Sequence, residues 1–86
     1  MKGRLADGFE AELNDNILDD WEFLELLDDV DNGNEGAIVR VAKMLLGKDG
    51  LKSLKDHLRQ DGRVKVTAIV PALTELMESA SQLKNS

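Results

Sequence analysis

Three glycine-bearing breaks constrain what this chain can fold into. Asn32-Gly33-Asn34, Gly47 and Asp61-Gly62 cut a sequence of helical apolar periodicity into short pieces. Glycine accepts the positive φ angles that helix ends and tight turns demand. Between the breaks, apolar residues recur at helical spacing. Ile38, Val41, Ala42 and Leu45 follow the i, i+3, i+4, i+7 rule, as expected of a helix over about 35–46. Leu51, Leu54 and Leu58 point inward from a third helix over about 50–60, with Lys52, Lys55 and Arg59 outward. A fourth helix is expected over about 68–83, capped by Thr67, with Pro71 in its first turn. Its stripe of Ile69 or Val70, then Leu73, Leu76 or Met77, Ala80 and Leu83 is heptad-like.

The first helix is expected over about 17–31, after the polar break Asn14-Asp15-Asn16. It carries two apolar stripes. Leu18, Trp21, Leu24 and Leu27 or Asp28 trace one; Phe23, Leu26, Leu27 and Val30 trace the other. Together they are wider than a single contact needs. Ahead of this helix, Phe9, Ala11 and Leu13 alternate with Glu10 and Glu12, the period of a half-buried strand. Asp7-Gly8 is expected to close a β-hairpin over residues 1–13 through a type I′ turn. Val64 and Val66 leave room for a third short strand. The expected fold is therefore mainly α (α+β): one domain over 1–86, a short hairpin at 1–13, then a compact bundle of about four short helices over 17–83.

The charges are strongly polarised. From Asp7 to Glu35 there are twelve acidic residues and no Lys or Arg, whereas from Arg40 to Lys65 eight basic residues face three acidic ones. The net charge is −6, which disfavours contact with nucleic acid phosphates. Two helices around a glycine turn at 40–65 superficially suggest helix-turn-helix. Their basic side chains would have to reach a groove past an acidic helix. No apolar run approaches the roughly 20 residues of a membrane span. The chain has no cysteine and one histidine, which argues against a zinc site or a thiol nucleophile. His57 reads as a surface residue on a Lys-rich helix. Asp29–Arg40 and its neighbouring registers misplace the glycine and the final glutamate of a calcium loop. Ser53, Ser79, Ser81 and Ser86 lack the Asp-Ser-Leu setting of an acyl carrier protein. No enzyme activity, metal or cofactor is expected.

A binding function fits better. Trp21 reads either as the anchor of a small core or as an interface residue ringed by acids. The last-helix stripe has the same two readings. The expected protein-binding surface is formed or bordered by Trp21, Phe23, Leu27, Leu73, Leu76, Met77 and Leu83.

Four pieces occur in a suggestive order: DGFEAELND at 7–15, ILDDWEFLELLDDVDNG at 17–33, AKMLLG at 42–47 and LKSLKDHLRQDGRV at 51–64. Their order resembles the small tail assembly chaperones of long-tailed bacteriophages and prophages of Gram-positive bacteria. The resemblance implies a non-enzymatic protein of the bacterial host cytoplasm. It implies binding to the tape measure protein, protection of that protein's helices from aggregation, and help in recruiting tail tube subunits. Many such phages also make a longer frameshifted form. A homo-oligomer, and a phage-encoded interaction adaptor or regulator without chaperone activity, remain open beside it.

Overall fold

A computed structural model describes the backbone of residues 1–85 and the side chains of residues 1–80. The element order is β1 (Lys2–Arg4), β2 (Glu10–Glu12), a 3₁₀ turn (Ile17–Asp19), α1 (Trp21–Asp31), α2 (Glu35–Leu58) and α3 (Val66–Asn85). The expected hairpin is present, with Gly3 opposite Ala11 in an antiparallel pair. Its loop differs from expectation. The Leu5 carbonyl accepts from Gly8 N–H at 3.0 Å, and Leu5 N–H donates to Phe9 O at 2.8 Å. Only Gly8 has positive φ; Asp7 does not. The loop is thus three residues, Ala6-Asp7-Gly8, with Asp7 Oδ1 accepting from Phe9 N–H. The two-residue turn appears instead at Asp61-Gly62, where both φ angles are positive (53° and 76°) and Gln60 and Arg63 exchange backbone hydrogen bonds. That exchange is a single bridge, so the third strand expected at Val64 and Val66 does not form.

The described residues hold three helical spans where about four helices were expected, the second span being two helices joined at a kink. The expected second and third helices continue one another because a single residue, Gly47 (φ 71°, ψ 177°), leaves helical geometry between them. A glycine reaches that conformation without a side-chain clash, so one residue bends the chain where a longer loop was expected. The first helix starts later than expected, at Trp21. Asp20 is extended and accepts from Glu22 N–H (2.8 Å) and Phe23 N–H (3.2 Å), an N-cap worth about 1 kcal/mol. Residues 17–19 form only the 3₁₀ approach to it. At its other end, Gly33 N–H donates to Val30 O and Asn34 N–H to Asp29 O, the double bond of a Schellman cap. The last helix begins at Val66, ahead of the expected Thr67 cap, with the Lys65 carbonyl accepting its first bonds. Pro71 therefore lies beyond the first turn and leaves the Thr67 carbonyl without its usual donor.

One core unites these elements. Leu13, Phe23, Leu45, Leu54 and Leu76 are its fully buried large side chains. Leu5 and Ala11 join from the hairpin and Leu73 and Ala80 from α3. Strand β1 lies against α3. Outward N–H groups of β1 and of the loop after it are taken by α3 side chains one turn apart: Arg4 N–H by Ser79 Oγ (2.7 Å) and Ala6 N–H by Glu75 Oε1 (2.5 Å). Beside them Gly3 touches the α3 backbone; a Cβ there would stand 2.6 Å from the Leu76 carbonyl oxygen. The packing requirement of a lone hairpin is met within the chain.

Candidate functional site

Helix α1 resolves its two stripes. Phe23, at 1% exposure, enters the core, and Leu26, Leu27 and Val30 pack partly buried against it. The other stripe faces outward: Trp21 is 71% exposed and Leu24 55%, while Leu18, 42% exposed, lies on the 3₁₀ turn ahead of the extended Asp20 and is not on the helix. The core-anchor reading of Trp21 is therefore overturned. A helix lying on a small core buries one stripe, and Phe23 occupies the deep position.

The exposed stripe is flanked by Glu22, Glu25, Asp28, Asp29 and Asp31, all exposed. Among the described residues no ion pair involves any of them. Asp28, Asp29 and Asp31 lie at the negative end of the helix dipole, where acids are unfavourable; Asn32 Nδ2 donates to Asp28 at 3.3 Å. An exposed indole and unpaired acids at the wrong helix end do not serve the fold. Departures of this kind concentrate at sites of function. Across a cleft from Trp21, Glu22 and Glu25 stand Arg40, Lys43 and Met44 of α2. The cleft is open, and its acids and bases face one another without touching.

The remaining expected binding residues fall elsewhere. Leu73 and Leu76 are core residues at 3% and 0% exposure, as is Phe23, so none of the three offers a surface. The mistaken expectation has a simple cause: the hairpin and the two arms of α2 supply enough apolar surface to cover the α3 stripe. Leu27 and Met77 are partly buried against the core. Leu83 lies outside the residues whose side chains are described.

A second feature escaped the sequence reading. His57 is not an isolated surface residue. Its Nε2 lies 2.7 Å from Asp7 Oδ2, and its ring stacks on Phe9 with centroids 4.5 Å apart. The pair clasps the hairpin loop to the far arm of α2 across fifty positions of sequence. No local signal announces it, because its members belong to elements that only the fold brings together. Stacks of this kind contribute about 1 kcal/mol.

The hairpin's charges depend on acidity. The Phe9 N–H and then His57 hold the Asp7 carboxyl below its ordinary value. Arg4, at 2.8 Å, lowers Glu10, and the Met1 amino group lowers Asp15. A carboxyl lowered in the folded state favours folding above its ordinary pKa, and that support is lost as pH falls through the folded value. Acidification below about pH 4 is therefore expected to loosen the hairpin before the helices. NMR cross-strand contacts between Gly3 and Ala11 should fade first, while contacts between α1 and α2 persist. Simultaneous loss of both would contradict this order.

Comparison with protein-family models, with curated proteins and with solved structures finds no match to this chain. Chemistry and geometry must carry the assignment. Among the described residues no group of three or more His, Cys, Asp or Glu side chains is placed to hold a metal ion. No helix among them is long and apolar enough to cross a membrane. What the surface offers is the acidic tryptophan face.

Proposed function

We propose that this chain is a tail assembly chaperone of a long-tailed bacteriophage or prophage, acting without enzymatic chemistry in the bacterial host cytoplasm. In this reading it binds the tape measure protein and keeps its helices from aggregating. It then helps recruit tail tube subunits, with a longer frameshifted form where one is made. The observation that carries the reading is the apolar pair Trp21 and Leu24 of α1, exposed and ringed by unpaired acids. A chaperone for an elongated helical client needs an apolar strip to lie along. It also needs like charge around the strip, so that the loaded complex stays soluble. Both needs are served by one helix of this chain. The contact is small and half polar, which suits a client that must later be released into the growing tail.

The test is co-expression with the tape measure protein of the same locus. The wild-type chain is expected to recover a soluble complex on pull-down. The double variant Trp21→Asp, Leu24→Asp is expected to fold but to leave the client insoluble, because both side chains lie outside the core. A client that stays insoluble with the wild-type chain refutes the chaperone reading and favours an interaction adaptor. A client rescued equally by the double variant places the contact on another face.

A further inference from the structure

Helix α1 presents more to solvent than an apolar pair. Trp21, Leu24, Asp28 and Asp31 are all exposed and stand three, four and three positions apart. That spacing sets them in one row along the helix, about 15 Å from end to end. The row is divided: its first half is apolar and its second half acidic. The surface beside it is lined by Trp21, Leu24, Leu27, Glu25, Asp28 and Asp31, with Asp29 at its edge, and holds no Lys or Arg. Arg40 and Lys43 belong to the cleft on the other flank of α1, with Glu22. Neither Asp28 nor Asp31 forms an ion pair among the described residues. The last carbonyls of α1 add to the negative potential at that end.

We infer, resting on the reading of α1 as the client face, that the segment bound there is a cationic amphipathic helix. It sets an apolar pair against Trp21 and Leu24, and Lys or Arg, one and two turns further along the same side, against Asp28 and Asp31. A partner helix repeats the three- and four-residue spacing along its own length, so the two rows stay in register. A neutral segment would cover Asp28 and Asp31 without giving them a partner, and an acidic one would add repulsion. Apolar contact holds the segment; the acids select it. Because the row is apolar at one end and charged at the other, they also fix its direction along α1. Exposed ion pairs are individually weak and are screened by salt, which keeps the contact reversible. Glu22 and Asp29, turned toward the other flank, still surround the apolar contact with charge.

Three alanine-based helical peptides of about 18 residues serve as probes. Each carries a Leu pair at i and i+3; positions i+7 and i+10 are both Lys, both Gln or both Glu. On titration into the wild-type chain, Trp21, the only tryptophan, is expected to shift its emission to shorter wavelength. The Lys peptide is expected to bind at least about tenfold more tightly than the Glu peptide at about 20 mM salt, with the Gln peptide between them. The gap should narrow toward about 500 mM salt. The double variant Asp28→Lys, Asp31→Lys is expected to invert the order and to keep its fold, since lysines suit a helix C-terminus. Leu24→Asp, which keeps the indole, is expected to lose the Lys peptide. No binding of any peptide, or a Glu peptide bound as tightly as the Lys peptide, overturns the inference. So does a Lys peptide that either variant binds as wild type does. Rescue of the tape measure protein by the charge-reversed variant as fully as by wild type also overturns it, and leaves the chaperone reading standing. A wild-type chain that prefers the Lys peptide yet leaves the tape measure protein insoluble refutes the chaperone reading and upholds the charge preference of the face.

Discussion

Phe23→Ala is expected to cost this chain about 3–5 kcal/mol, while Trp21→Ala, two positions away, changes stability by no more than about 0.5 kcal/mol. The contrast follows from the orientation of α1. Phe23 is 1% exposed among core side chains, and its loss leaves a cavity that neighbouring backbone cannot fill. Trp21 is mostly in solvent, and Asp20 caps the helix whether or not the indole is present. Small domains have only about 5–15 kcal/mol in hand, so Phe23→Ala should lower the melting temperature by about 15 °C or more. Urea and thermal unfolding of the two variants beside wild type check this. Similar losses for both would mean that Trp21 is a structural residue and that the exposed stripe is not a binding face.

Gly3→Ala is expected to be nearly as damaging, though it adds a single methyl group. The added Cβ would sit 2.6 Å from a backbone carbonyl of α3, which no rotamer change can move. Either β1 lifts from α3 or the helix shifts. In both cases the bonds from Arg4 to Ser79 and from Ala6 to Glu75 are strained. Overpacking against a rigid neighbour costs about 3 kcal/mol, equivalent to a fall in melting temperature of about 10–20 °C for a domain of this size. Gly36→Ala is the control, since that position is exposed and meets only Asn34 Oδ1, at 3.4 Å. If both variants melt within about 2 °C of wild type, β1 is not seated on α3 as described.

Much of this architecture was legible in the residues. The alternation of Phe9, Ala11 and Leu13 identified the inner side of β2, and the spacing of Val41, Ala42 and Leu45 identified the buried side of α2. Asn32-Gly33-Asn34 marked the end of α1 with the correct chemistry. The misreadings share a cause: local pattern names a feature without saying how the rest of the molecule uses it. The Asp-Gly pairs at 7–8 and 61–62 look alike in sequence, yet of their two aspartates only Asp61 takes positive φ, because the first pair sits in a loop one residue longer. Gly47 breaks the helix where expected, but its neighbours resume helix at once, so the two expected helices meet at a kink with no loop between them. Both stripes of α1 were visible, and which one the core would take depended on packing partners far away in sequence. Gly3 carried no signal at all, since its role is defined by the backbone of a helix more than seventy residues on.

That long reach has a consequence for the order of events at synthesis. Strand β1 is made about seventy residues before Glu75, Leu76 and Ser79, the residues of α3 that it packs against. Until they emerge, β1 has no helix beneath it and its outer N–H groups have no acceptors within the chain. The hairpin must wait without its packing partner until α3 follows. Contacts of such separation slow the final step of folding.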